Sequence, residues 1–279
     1  METINARNDF RLIFEPFWAE RMPLCRHFLP RQYLRVDVDD PKHVVPARTI
    51  ITGGFRNKWA DAHTKRIFCR RRLIKDIRTN LILGWLARQF PEMRLILLLR
   101  HPCAVAHSKI QVQWRIDPNR RSAGQIEHFL AQPTLVDDFL DPYVSLMRST
   151  TDTFQRFIIG WCVETLIPLK QLTATQVHVI FYERVRLAPE REMRELFNFL
   201  GMSYDPTILA HVDRPSRTAR KDSLIRQGPG DLDPWRSEIT RDQLCRALDI
   251  LSTFGLQRIY NEASEPDPEA AHQLLATAE

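Results

Sequence analysis

The chain has 279 residues, of which 44% are hydrophobic and 27% are charged. This balance is enough for a sizeable buried core and excludes a chain that is disordered throughout. The net charge of +6 suits an anionic ligand but is too small to indicate nucleic-acid binding. No apolar run reaches the ~18 residues of a membrane span, and the N-terminus has no apolar signal core. We therefore expect a cytoplasmic protein without a membrane partner.

Five cysteines are scattered along the chain, namely Cys25, Cys69, Cys103, Cys162 and Cys245. Their odd number and the lack of a CxxC pair predict neither a disulfide framework nor a zinc site. Cys103 lies near a predicted helix N-terminus, which would lower its pKa. The favoured alternative is a small residue that packs in the core.

Glu15 follows a short strand predicted at residues 11–14 and precedes Pro16, Phe17 and Trp18. A carboxylate at a strand end beside aromatic side chains would lose water, which raises its pKa and makes it a usable general base. The alternative is a glutamate that caps a helix or pairs with an arginine.

Residues 19–72 are predicted to be irregular, because four prolines interrupt any long element: Pro23, Pro30, Pro41 and Pro46. Gly53-Gly54 does not fit the phosphate-binding pattern G-x-x-x-x-G-K-[ST] and predicts a turn. A basic run follows, consisting of Arg56, Lys58, Lys65, Arg66, Arg70, Arg71 and Arg72. We favour a solvated face for this run, with a wall that attracts an acidic acceptor as the alternative.

Residues 95–109, LILLLRHPCAVAHSK, are the most informative stretch. The aliphatic run predicts a strand buried on both faces of a parallel sheet, and Pro102 suits the first turn of the helix that follows. Arg100 ends the strand and Ser108 lies two turns into the helix, so the pair could hold a phosphate at the helix N-terminus. The alternative is an arginine paired with a carboxylate and a serine that faces water.

The remaining elements are predicted from apolar spacing and capping signals. A helix over 81–90 covers the sheet, and a long helix over 154–172 precedes a buried strand at 177–181. Glu183 is expected to cap or brace the next turn. A helix from Pro189 stops at Gly201, and a capping box at Thr240 and Gln243 begins the last helix. Residues 261–279 are predicted to be a flexible tail.

Residues 73–109, with their KDxR stretch, amphipathic helix ending in FP and LLLRHP strand, resemble the central part of the sulfotransferase family. That family uses 3′-phosphoadenosine 5′-phosphosulfate (PAPS). The resemblance implies a P-loop-NTPase-like α/β fold, in which one domain over residues 1–260 forms three α/β/α layers around a central parallel sheet. It also implies transfer of a sulfuryl group from PAPS to an acceptor hydroxyl without a metal, with a carbohydrate as one candidate acceptor.

The match also carries roles over, residue by residue. It implies that Arg100 and Ser108 bind the 3′-phosphate. It implies that Lys75 is the family lysine that stabilises charge on the bridging oxygen or orients the acceptor. Glu15 takes the position of the general base.

The segment 214–240 is similar to the family loop that closes over the 3′-phosphate and the adenine. The resemblance assigns Arg226, Gly228 and Trp235 to this part of the nucleotide site. Arg220-Lys221 is an alternative register for the same loop.

The sequence departs from the family pattern before Glu15, where a PKSGTT-like loop should wrap the 5′-phosphosulfate. We expect either a chain truncated by about one βα unit or a relative that has lost the reactive end of the donor site. The competing function is therefore a non-catalytic, sulfotransferase-like nucleotide-binding or regulatory protein. A P-loop kinase is less favoured, because neither a Walker lysine nor an acidic magnesium ligand is evident. The acceptor and the oligomeric state are not determined by the sequence.

Overall fold

The structure is a computed structural model that describes residues 3–66, 68–116, 125–212 and 234–277, with only the backbone at 113–116. Its strands are β1 (Phe10–Phe14), β2 (Arg71–Lys75), β3 (Leu95–Leu99) and β4 (Val177–Phe181). Its helices are α1 (Pro41–Thr52), α2 (Leu83–Gln89), α3 (Pro102–Ile116), α4 (Gln125–Leu130), α5 (Pro133–Leu135), α6 (Val144–Ser149), α7 (Thr153–Gln171), α8 (Tyr182–Leu187), α9 (Pro189–Phe199), α10 (Arg241–Thr253) and α11 (Pro268–His272).

The chain divides into two compact units. The first comprises the described residues of Met1–Pro91 and Asp205–Ser216, and the second those of Glu92–Tyr204 and Arg217–Glu279. Each unit holds one pair of parallel strands among its helices. The α/β class predicted from the sequence is therefore confirmed, whereas the single three-layer sheet and the domain limit at residue 260 stay predictions.

The sheet of the first unit pairs β1 with β2. Phe10 lies opposite Arg71, and Phe14 lies opposite Lys75. Because parallel strands end at the same edge of a sheet, the residues that follow β1 emerge beside the end of β2. The helix predicted at 81–90 is α2 with a preceding 3₁₀ turn, and its Trp85 is fully buried with Nε1 donating to the Val38 carbonyl at 2.7 Å.

Helix α1 lies within the region that was predicted to be irregular. Asp40 caps it by accepting a hydrogen bond from the Lys42 N–H, and Pro41 occupies the first turn, where a missing N–H has no cost. Pro46 stands inside the helix and is buried. The prediction is wrong here because the cap at Asp40 and the buried face of α1 stabilise the helix in spite of the one backbone hydrogen bond that Pro46 cannot make.

Gly53 ends α1 with a φ of +74°, which confirms the predicted turn. A Cβ at this position would stand 2.8 Å from Arg72 Cδ and 3.3 Å from Arg11 Nη1. The left-handed backbone and these close contacts both favour glycine.

We expect Gly53→Ala to lower the free energy of unfolding by about 1–2 kcal/mol, because alanine is strained at positive φ. Urea unfolding measures the loss. Gly54→Ala is the matched control, since its Cβ would meet nothing closer than 3.6 Å. Equal losses in the two variants would contradict this account.

The sheet of the second unit pairs β3 with β4, with Leu95 opposite Val177 and Leu99 opposite Phe181. Leu95, Leu97 and Leu99 are buried, but Leu98 is 62% exposed. Burial of β3 on both faces was predicted and is wrong for this side chain. Alternate strand residues point to opposite faces, and the described residues cover only one of them fully.

Three helices of the second unit, α7, α9 and α10, follow the sequence prediction closely. Helix α7 packs against α3 and α10. The capping box between Thr240 and Gln243 is present at the start of α10. Helix α9 ends before Gly201, which has a φ of +63°. These agreements show that capping residues and apolar spacing set the helix bounds locally.

The segment predicted as a flexible tail contains α11. Asp267 caps this helix, and Ala270 and Ala271 are buried. The Ala276 N–H donates to the Leu172 carbonyl at 2.9 Å. Ala270 and Ala271 thus pack into the second unit. The flexibility of residues 261–279 stays a prediction. None of the helices in the part of the chain that the structure describes is long and apolar enough to cross a membrane.

Candidate functional site

Glu15 directly follows β1 and has an uncommon backbone conformation. Its φ is +43°, and its N–H donates to the Lys75 carbonyl at 2.7 Å. A non-glycine residue in the left-handed region is uncommon and persists where its surroundings hold it in place. The bond to the end of β2 holds the Glu15 backbone beside Lys75.

The Glu15 carboxylate lies between two cations. Lys75 Nζ is 2.7 Å from Oε1, Arg78 Nη1 is 2.5 Å from Oε2, and the Glu15 side chain is only 8% exposed. Burial raises the pKa of this carboxyl, but the hydrogen bonds from Lys75 and Arg78 together outweigh burial and hold the pKa below its ordinary value. The predicted rise is therefore wrong, and the alternative of a paired carboxylate describes its contacts. The role of Glu15 as a general base stays a prediction.

Asp76 fixes the loop that carries these groups. Its carboxylate accepts hydrogen bonds from the Phe17 N–H at 3.0 Å and the Arg78 N–H at 2.7 Å. Burial raises the pKa of Asp76 despite these two bonds. Asp76 and Arg78 both belong to the KDxR stretch, but the sequence alone predicts no role for either residue.

Aromatic rings and arginines surround the Glu15 cluster. Arg78 Cζ lies 4.2 Å from the centre of the Trp18 ring, and Trp59 packs edge-on against Trp18 at 5.1 Å. Arg21 Cζ lies over both rings, at 5.4 and 5.5 Å. The residues of the basic run lie at exposed positions, in keeping with a solvated face, and are Arg56, Lys58, Lys65, Arg66, Arg70, Arg71 and Arg72. The surface around Glu15 is thus both aromatic and cationic.

Arg100 stands in the second unit, between the end of β3 and the N-terminus of α3. Its guanidinium carbon lies 4.6 Å from the centre of the Tyr182 ring. Its Nε is buried and has no hydrogen-bond partner among the described residues. Ser108 is exposed on α3. An unpaired arginine donor at a helix N-terminus is an arrangement that favours an anion.

Glu183 is buried at the start of α8, with 2% exposure. Its Oε1 accepts a hydrogen bond from the His101 N–H at 2.8 Å, and its Oε2 accepts one from the Tyr260 hydroxyl at 2.8 Å. Burial raises its pKa in spite of these bonds. The structure gives Glu183 a bracing role on the turn after β3, and its own backbone N–H at the start of α8 also interacts with the carboxylate.

Trp235 is 2% exposed and stacks on the His101 ring, with the ring centres 4.3 Å apart and an angle of 18° between the planes. Its ring therefore packs against the residue that follows Arg100 in the turn after β3. Arg226 and Gly228, together with the alternative register Arg220-Lys221, lie outside the described residues. The nucleotide contacts assigned to all of them stay predictions.

Cys103 is fully buried, and burial raises the pKa of its thiol to about 12. The packing interpretation of this cysteine is confirmed. Across residues 3–66, 68–116, 125–212 and 234–277, no group of three or more His, Cys, Asp or Glu side chains is arranged to hold a metal ion.

Comparison with known proteins gives one family match. A sequence model described as "Sulfotransferase family" matches residues 18–206 of the chain. The matched range includes Lys75, Arg100 and Ser108, whereas Glu15 and Trp235 fall outside it. No curated protein gave a significant match.

Proposed function

The chain belongs to the sulfotransferase family, and from this premise we propose that it transfers a sulfuryl group from PAPS to an acceptor hydroxyl. The choice of PAPS as the sulfuryl donor rests on one observation: the buried Nε of Arg100 has no hydrogen-bond partner among the described residues. A buried, unpaired arginine donor is costly unless a ligand satisfies it. An anion on Arg100 removes that cost.

The groups around Arg100 suit a phosphate. The Tyr182 ring supports one face of the guanidinium, and this leaves the planar N–H edge for charge-assisted hydrogen bonds to phosphate oxygens. The N-terminus of α3 adds a partial positive charge, and the Ser108 hydroxyl is a neutral donor on the same helix. We assign the 3′-phosphate to Arg100 and Ser108, with Arg226, Gly228 and Trp235 as the further nucleotide residues that the family resemblance implies.

The Glu15 cluster supplies the groups for proton and charge transfer. PAPS supplies the sulfuryl group, which forms a bond to the acceptor oxygen as its bond to the 5′-phosphate oxygen breaks. Glu15 takes the proton of the acceptor hydroxyl, and Lys75 stabilises negative charge on the bridging oxygen. The Lys75 side chain is 37% exposed, so its ammonium can turn from Glu15 to an anionic ligand. The pKa of Glu15 then rises, because one of its two cations has left.

The test is calorimetric titration with adenosine 3′,5′-bisphosphate of the wild type and of the Arg100→Ala variant. We expect binding to the wild type and at least about tenfold weaker binding to the variant, because charge-assisted hydrogen bonds are lost. Arg94→Ala is the matched control, since Arg94 is an exposed arginine of the same unit. Equal affinity of wild type and Arg100→Ala, or no binding to the folded wild type, would overturn the proposal.

A non-catalytic nucleotide-binding or regulatory protein is the second candidate. The lowered pKa of Glu15 favours it, because a carboxylate held by two cations is a weak base. Radiolabelled PAPS and a panel of hydroxyl acceptors separate the two functions. Labelled product supports the transferase, whereas bisphosphate binding without transfer to any acceptor supports the second candidate.

A further inference from the structure

We propose that Glu183 is a positioning residue for the anion site, and that it fixes the orientation of Arg100 through the peptide group that follows it. This inference rests on the proposed function, because it concerns how the 3′-phosphate is held. Tyr260 holds Glu183 in place, and Trp235 holds the His101 ring in place. Each contact lies within the second unit.

The peptide group between Arg100 and His101 is held at both ends. The Arg100 carbonyl accepts a hydrogen bond from Trp161 Nε1 at 3.1 Å, and the His101 N–H donates to Glu183 Oε1 at 2.8 Å. These bonds fix the plane of one peptide group and therefore the ψ angle of Arg100. The direction in which the Arg100 side chain leaves the backbone is set by the same constraint.

Glu183 is itself immobilised. Its second oxygen accepts from the Tyr260 hydroxyl at 2.8 Å, and the Tyr260 side chain is fully buried. Charge-assisted hydrogen bonds of this kind are short and strong, and their strength increases away from water. Both carboxylate oxygens are thus engaged by groups other than the Arg100 guanidinium.

The His101 ring locks the other side of the peptide group. It stacks on Trp235 and meets the edge of Tyr260 with ring centres 5.2 Å apart. Its Nδ1 accepts from the Cys103 N–H at 3.3 Å, and its Nε2–H donates to the Asn261 carbonyl at 3.2 Å. The ring therefore has a fixed position and a single tautomer, and the backbone at residue 101 cannot rotate without breaking these contacts.

Two adjacent residues, Tyr182 and Glu183, hold the side chain and the backbone of Arg100. Tyr182 supports the guanidinium, and the adjacent Glu183 holds the backbone. The Glu183 charge also attracts Arg100, but its two oxygens are already bonded to His101 and Tyr260. This arrangement positions the guanidinium without taking up its Nε, which has no hydrogen-bond partner among the described residues. Pre-organisation of this kind increases affinity by reducing the ordering cost of binding.

The test compares the affinities of adenosine 3′,5′-bisphosphate and adenosine 5′-monophosphate, because their ratio isolates the 3′-phosphate. For Glu183→Gln we expect the ratio to fall by about fivefold, since the amide replaces one acceptor oxygen by a donor. For Tyr260→Phe we expect a fall of about twofold, since only the bond to Glu183 is lost. Tyr260→Phe also keeps the proposal testable if Glu183→Gln fails to fold.

Glu192→Gln is the matched control for general destabilisation. Glu192 is also buried in the second unit, at 4% exposure, but it pairs with Arg184 at 2.8 Å. This variant should unfold more easily than the wild type and keep the wild-type ratio. An unchanged ratio in the folded Glu183→Gln and Tyr260→Phe variants, with a reduced ratio in Arg100→Ala, would overturn the positioning role alone. A ratio near one in the wild type would overturn the proposed function and this inference with it.

Discussion

Arg11→Ala is expected to lower the free energy of unfolding by about 3–5 kcal/mol, the range for breaking a buried ion pair by removing one partner. Arg11 is the second residue of β1 and is only 4% exposed. A charged side chain in this position persists only when every donor is satisfied.

The guanidinium of Arg11 joins three parts of the first unit. Its Nε donates to Asp61 at 2.9 Å, while Nη1 and Nη2 donate to the carbonyls of Gly53 and Phe55, each at 2.7 Å. The alanine variant removes all of these bonds and leaves the half-buried Asp61 and two backbone carbonyls without this donor. Unsatisfied groups of this kind account for most of the expected loss.

Urea unfolding followed by tryptophan fluorescence measures the effect. Arg56→Ala is the control, because Arg56 meets the same Asp61 at 3.8 Å but is 49% exposed. An exposed pair contributes only about 0–1 kcal/mol. Similar losses for the two variants would show that the buried contacts of Arg11 do not carry the stability assigned to them.

The second large effect is expected at Glu15. Glu15→Gln should lower the free energy of unfolding by about 2–3 kcal/mol at neutral pH, because charge-assisted hydrogen bonds to Lys75 and Arg78 are lost. The loss should depend on pH. Since the pKa of Glu15 is lower in the folded chain than its ordinary value, ionisation of this carboxylate favours the folded state.

The sign of the pH dependence follows from the direction of that shift. The stability contributed by Glu15 is fully present above the ordinary glutamate pKa of the unfolded chain, and it is lost as the pH falls through the lowered pKa of the folded chain. Unfolding curves of wild type and Glu15→Gln should therefore approach each other on acidification.

The control for this experiment is Glu20→Gln, which changes an exposed glutamate of the same loop. Its unfolding curve should follow the wild type at every pH. A difference between wild type and Glu15→Gln that stays constant from neutral to acid pH would contradict the ion-paired state of Glu15.

Local features of the fold were predictable because the signals act over a few residues. The apolar runs specified β1, β3 and β4, and the capping box at Thr240 specified the start of α10. Helix α1 carries a start signal in Asp40 and Pro41 and a breaker signal in Pro46, and these two local signals predict opposite outcomes. The buried face of the helix decides between them.

The local placement of single candidate residues was predictable, but the charges around them were not. The position of Arg100 between a strand and a helix follows from the spacing in LLLRHP. The ionisation of Glu15 does not follow from its neighbours in sequence, because the cations that lower its pKa are sixty and sixty-three residues away. Trp235 likewise reaches His101 across a long separation, and its ring is covered by that contact.

The sequence by itself determined strands β1, β3 and β4, the ends of helices α7, α9 and α10, and the family. It also determined that Arg100 ends a strand and that Ser108 lies on the helix that follows. Hydrophobic periodicity, capping and short motifs are local properties. Only the tertiary structure decided which face of β3 is covered, that Glu15 lies between Lys75 and Arg78, and that Glu183 braces the turn after β3. The physical reason is that burial and charge depend on groups brought together from distant parts of the chain. Charge interactions and hydrogen bonds become stronger where those groups exclude water.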